Sequence, residues 1–111
     1  MKYLFTLILF FFVMQCCLGE EITCEATAYC LKTRTNSEAY AFHGVIAADY
    51  SVIPYGSIVY VEGYGYAVVL DCGGDIKGKR IDVWFPEYNT CKNWGRKIVK
   101  VKILKRGSKL W

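Results

Sequence analysis

Residues 57–85 read SIVYVEGYGYAVVLDCGGDIKGKRIDVWF. Two apolar runs flank Gly63, Tyr64 and Gly65, the pattern of a β-hairpin. A third run, KRIDVWF, alternates as a half-buried strand does: Ile81, Val83 and Phe85 toward a core, Arg80, Asp82 and Trp84 away from it. Between the second and third runs, Gly73 and Gly74 suit a tight turn with positive φ, and Lys77 and Gly78 complete the reversal. Asp71 enters that loop and Asp82 follows it. The loop either reverses the chain and nothing more, or brings two carboxylates to one place.

Strand signals dominate outward from this stretch. ITCEATAYC (22–30) alternates, and GVIAAD (44–49) is a short strand ending at Asp49. SVIPYGS (51–57) is a turn fixed by Pro54 and Gly56. KIVKVKIL (97–104) puts Val99, Val101 and Ile103 on one face, Lys100 and Lys102 on the other. LKTRTNSEAY (31–40) is a polar loop, and PEYNTCKNWG (86–95) is a short helix with Pro86 near its start and Gly95 as its stop. Six or so short strands with one short helix predict a small closed all-β barrel, because closure removes the edges such apolar strands would expose.

The chain has 111 residues, one domain at most. Its first 19 residues carry one Lys, an apolar run from Tyr3 to Met14 and a Cys-Cys-Leu-Gly stretch, the pattern of a secretory signal peptide cleaved after Gly19. The run is shorter than the roughly 18 apolar residues a membrane span needs. Residues 20–111 then form the mature, secreted domain, expected to be a monomer without cofactor or metal. Its charge is mildly positive, with Lys and Arg scattered, which gives no case for nucleic acid and suits an anionic polymer such as a cell wall. Four cysteines remain, Cys24, Cys30, Cys72 and Cys91, and an even number in a small secreted chain predicts two disulfides. Three pairings are open. A straight strand over 23–30 separates Cys24 from Cys30 by roughly 20 Å, against the ~7 Å that a bridge spans between Cα atoms.

An Asp with a Trp two residues on, both turned from the core, suits a sugar cleft: the Trp84 ring stacks on a pyranose while Asp82 reaches an oxygen. The plainer reading pairs Asp82 with Arg80 at the surface beside a partly exposed Trp84. Asp75 is expected in solvent, and His43 on a loop or cleft rim.

Taken together, GVIAADYSVIPYGS, GYGYAVVLDCGGDIKGKRIDVWF and NWGRKIVKVKIL resemble the 3D domain, a family named for three aspartates and found in the catalytic barrel of membrane-bound lytic transglycosylase A. Asp49 is followed 22 residues later by Asp71 in D-x-G-G-x-I-K-G and 11 later by Asp82 in R-I-D-V. The resemblance covers residues 24 to about 104. It implies a six-stranded double-psi β-barrel of the kind used by barwin-like proteins and expansins. It also implies cleavage of the β-1,4 bond between N-acetylmuramic acid and N-acetylglucosamine in peptidoglycan, with a 1,6-anhydro product. Asp82 falls on the family's acid, and Asp49 and Asp71 on the residues that help build the site. Thr27, Gly73, Gly74, Lys77 and Trp84 are the expected substrate contacts. The chain departs from the family at SEAYAFHG (37–44), where a Thr-Ala-Ser-Gly-like segment is usual, and at Cys72 and Cys91. The alternative is a non-catalytic wall-polysaccharide-binding protein of the barwin or expansin kind.

Overall fold

Alternation builds this molecule. The computed structural model describes residues 20–30 and 43–107; the signal-like residues 1–19 and the polar loop 31–40 lie outside them. Six strands form: β1 (Glu20–Tyr29), β2 (Val45–Ala48), β3 (Ile58–Val61), β4 (Gly65–Asp71), β5 (Arg80–Trp84) and β6 (Lys97–Lys105). One short helix, α1 (Tyr88–Trp94), lies between β5 and β6. In β6, Val99, Val101 and Ile103 are buried while Lys100 and Lys102 face out, and in β5 Ile81 and Val83 are fully buried. Val59 and Val61 of β3, Ala67 and Val69 of β4, and Ala26 of β1 complete the same core. Burying each of these branched side chains contributes about 1.5–3 kcal/mol.

The strands close into a small all-β barrel with one helix, as the sequence predicts, in the order β1-β5-β2-β4-β3-β6. Strands β1 and β5, and β2 and β4, pair in parallel, and the other four pairings are antiparallel. The finer double-psi crossing stays a feature implied by the family resemblance. All four residues of β2 are buried. Strands flanked on both faces read as continuous apolar runs, hence VIAA.

The connections follow local chemistry. The Ser57 N–H donates to the Pro54 carbonyl at 3.1 Å, with Gly56 at φ 82 in the third position of the turn. Helix α1 starts after Glu87 and ends at Gly95, which takes φ 65 and donates its N–H to the Cys91 carbonyl at 3.1 Å. Strand β1 starts at Glu20, two residues ahead of the alternating segment read from sequence. Among the described residues, no helix is long and apolar enough to cross a membrane.

Candidate active site

Thr27, Asp82, Ala47 and Asp71 form one row across four adjacent strands. Thr27 stands opposite Asp82, Asp82 opposite Ala47, and Ala47 opposite Asp71. Alternation turns Asp82 away from the core, since Ile81 and Val83 on either side fill it. Asp71 reaches the row differently. Ala67 and Val69 point into the barrel, so a period of two would send Asp71 inward as well. The ladder between β2 and β4 shifts at this point: Ile46 pairs with Val69 and Ala47 with Asp71, leaving Leu70 as an extra residue. That bulge changes the phase of β4 and puts Asp71 on the same face as Ala47 and Asp82. The small Ala47 methyl leaves the floor between the two carboxylates low.

The Thr27 hydroxyl donates to Asp82 Oδ1 at 3.0 Å. Burial pushes the Asp82 carboxyl up from its ordinary range, the Thr27 hydrogen bond and Arg80 pull it back, and Asp71 pushes it up again. Burial is the largest of these causes, and Asp49 takes no part. Arg80 is not paired with Asp82: its Nη1 donates to the Asp75 carbonyl at 3.1 Å and its Nε lies 4.0 Å from Glu25. Asp71 accepts the Cys72 N–H at 2.9 Å on Oδ1, and the Tyr29 hydroxyl approaches Oδ2 at 3.5 Å. Burial, then Asp71 and Asp82, hold the Tyr29 phenol protonated. Sequence reasoning missed Tyr29, although its place two residues after Thr27 on one strand face was a usable signal.

Asp49 plays a different part. Its Oδ1 accepts the Ser51 N–H at 3.0 Å and the Ser51 hydroxyl at 2.7 Å, and its Oδ2 accepts the Gly78 N–H at 2.8 Å. These three donors, Gly78 first, hold its carboxyl down to about 2. Asp49 thus ties the glycine loop to the turn after β2 and stays ionised. Gly78 is the loop glycine with positive φ, 67; Gly73 and Gly74 do not use that freedom, contrary to the sequence reading. Gly73, Gly74, Lys77 and Cys72 line, with Asp49 and Tyr50, a cleft of about 390 Å³.

Trp84 also differs from expectation. It is 7% exposed, so its ring offers no open stacking face. Asp75 is exposed as expected. His43 is exposed in the turn ahead of β2, its ring stacked 4.6 Å from that of Tyr64. The Tyr64 hydroxyl accepts the Gly44 N–H at 2.8 Å and donates to the Trp84 carbonyl at 2.7 Å. Cys24, Cys30 and Cys91 carry thiols in the structure, and the two bridges stay an expectation from the sequence. Cys24 is sealed in the core, where burial pushes its thiol up to about 11. Among the described residues, no three His, Cys, Asp or Glu side chains gather where they could share a metal ion.

The sequence pattern of the 3D domain matches residues 44–105. The Bacillus subtilis (strain 168) protein YabE, whose name carries a cell-wall-shaping role, is 52% identical over 79 residues, 71% of this chain and 18% of YabE. The cell wall-binding protein YocH of the same organism is 58% identical over 60 residues, 54% of this chain and 21% of YocH. The chain thus spans about a fifth of the length of these curated relatives. Among solved structures, MltA from E. coli superposes with a TM-score of 0.56 at 24% identity, over 69% of this chain and 28% of MltA. MltA with bound chitohexaose gives 0.55 at 23%, over 70% of this chain and 29% of that one. These superpositions bear on the fold alone. With half of its length matched by the family pattern and a relative this similar over most of it, the chain belongs to the 3D domain family.

Proposed function

We propose that this chain is a secreted lytic transglycosylase that cleaves the β-1,4 bond between N-acetylmuramic acid and N-acetylglucosamine in peptidoglycan. The observation that carries the reading is Asp82: one carboxyl group, raised by burial, hydrogen-bonded to Thr27 and lying in one row with Asp71. Most glycoside hydrolases need two carboxyl groups, one for the leaving group and one for water or nucleophilic attack. An anhydro-forming cleavage needs one. Protonated Asp82 gives its proton to the glycosidic oxygen as the C1–O bond breaks. The sugar's own C6 hydroxyl attacks C1, and the Asp82 carboxylate takes the hydroxyl proton. No water is consumed. Asp71 and Tyr29 contact the sugar beside the acid, while Asp49 fixes the loop carrying Gly73, Gly74 and Lys77 along the glycan path.

Residues 1–19 are the removed signal in this reading, residues 20–111 the mature monomer, and the location is outside the cytoplasmic membrane. The name of YocH, a cell wall-binding protein, supports a glycan partner and also supports a second reading, binding without cleavage. Mass spectrometry of peptidoglycan digested by the protein separates them. Anhydromuramyl products that vanish with Asp82→Asn support cleavage. Retention on insoluble peptidoglycan, unchanged by Asp82→Asn and without soluble products, supports binding.

A further inference from the structure

Helix α1 is seven residues long, too short to hold itself in water. Its N-cap residue, Glu87, makes no side-chain capping bond, and Trp94 is its one buried residue. The helix packs on β1, and at that contact the Cys91 thiol is in hydrogen-bond contact with the thiol of Cys30, the residue directly after β1. The Cys91 sulfur also lies against the Phe85 backbone, whose N–H donates to the Tyr29 carbonyl at 3.0 Å. Two cysteines from separate elements meet there, within electrostatic reach of Asp82.

We infer that Cys30 and Cys91 form a disulfide that fastens helix α1 to the end of β1 beside the Asp82 row. The choice falls on this pair because the two thiols touch and both are half-buried, whereas Cys24 is sealed in the barrel core at 1% exposed. The chemistry balances with a disulfide donor, such as glutathione disulfide, as oxidant. One thiolate attacks the donor to give a mixed disulfide and releases the first donor thiol. The second thiolate displaces the other. Two protons and two electrons leave the protein, and the donor ends as two thiols. Burial and the neighbouring Cys30 raise the Cys91 thiol, so the exchange quickens as pH rises. The bridge is independent of whether the site cleaves or only binds glycan.

Peptide mapping of the full chain, oxidised with glutathione disulfide and digested without reductant, tests this. A cross-linked pair holding Cys30 and Cys91, released by dithiothreitol, is the expected result. Cys30 joined to Cys24 or Cys72, or both thiols still open to alkylation, overturns it. Oxidised protein should also melt on the order of 10 °C above reduced protein. That gap should disappear in Cys91→Ser and, should that variant not fold, in Cys30→Ser. A gap that survives in the serine variant, or equal melting of oxidised and reduced wild type, overturns the bridge as well.

Discussion

Asp82 and Asp49 are two aspartates of one chain under opposite pressures, and they should answer substitution in opposite ways. Asp82 is raised by burial, so its ionised form costs the fold stability at neutral pH. Asp82→Asn removes that cost, and its melting temperature at pH 7 should equal or exceed wild type. Wall lysis should fall on the order of 10²-fold or more, because Asn cannot give and retrieve a proton. A folded Asp82→Asn protein with wild-type lysis removes Asp82 from the chemistry. In the proposed reaction the acid works protonated, so the alkaline limb of the lysis profile should report its ionisation. Thr27→Val removes a donor that favours the carboxylate and should move that limb to higher pH. Asp71→Asn removes a like charge and should move it slightly to lower pH, with a milder loss of rate. Lysis measured across pH for both variants checks the two signs. Asp49 is lowered from 3.8 to about 2, so its contribution is full above pH 3.8 and is lost as pH falls through about 2. The fall in melting temperature over that window should be smaller in Asp49→Asn than in wild type.

At the scale of elements, alternation was enough to read the strands and the outward turn of Asp82. It could not read Asp71. Counting by twos from Val69 sends that side chain into the core, and only the pairing partner across the sheet, Ala47, reveals the phase change at Leu70. Trp84 escaped for a related reason. A strand pattern names the face a side chain leaves by, but not what is packed over it, and Trp84 is buried on the face that Asp82 shares. Asp49 was known as a site residue from the family spacing, yet its role as a tie comes from the Gly78 N–H, 29 residues away in sequence. The bulge supplies its own check. Deleting Leu70 should restore an unbroken ladder with Val69 still opposite Ile46 and Asp71 still opposite Ala47. The deleted protein should keep the wild-type alkaline limb, and a limb displaced as in Asp71→Asn would refute the alignment.

Across the whole molecule, the barrel was legible because closure is forced by six short apolar strands, while the order of the strands was not. Parallel pairing of β1 with β5 and of β2 with β4 depends on contacts between distant segments, which carry no local signal. The ends of the barrel are held by a bidentate pair: Arg106 Nη2 lies 3.0 Å and 2.9 Å from the Glu20 carboxylate oxygens, and its Nη1 donates to the Val52 carbonyl at 3.3 Å. Gly107 follows, donating to Ser57 Oγ at 2.9 Å, and a Cβ there would collide with the Tyr55 carbonyl. Ile81→Ala, at the fully buried centre, should cost roughly 2–5 kcal/mol, a large share of the ~5–15 kcal/mol typical of a domain. Thermal unfolding monitored by circular dichroism measures it.

The row from Thr27 through Asp82 and Ala47 to Asp71 draws on four strands, and the Thr27–Asp82 bond joins residues 55 apart in sequence. No single hairpin of the barrel contains it. Such distant pairings are late and slow to form, so a chain still emerging or half-assembled holds the carboxylates but not the site. On the proposed reading, assembly itself is then the safety catch: the acid row exists only once β1 lies beside β5, β5 beside β2 and β2 beside β4.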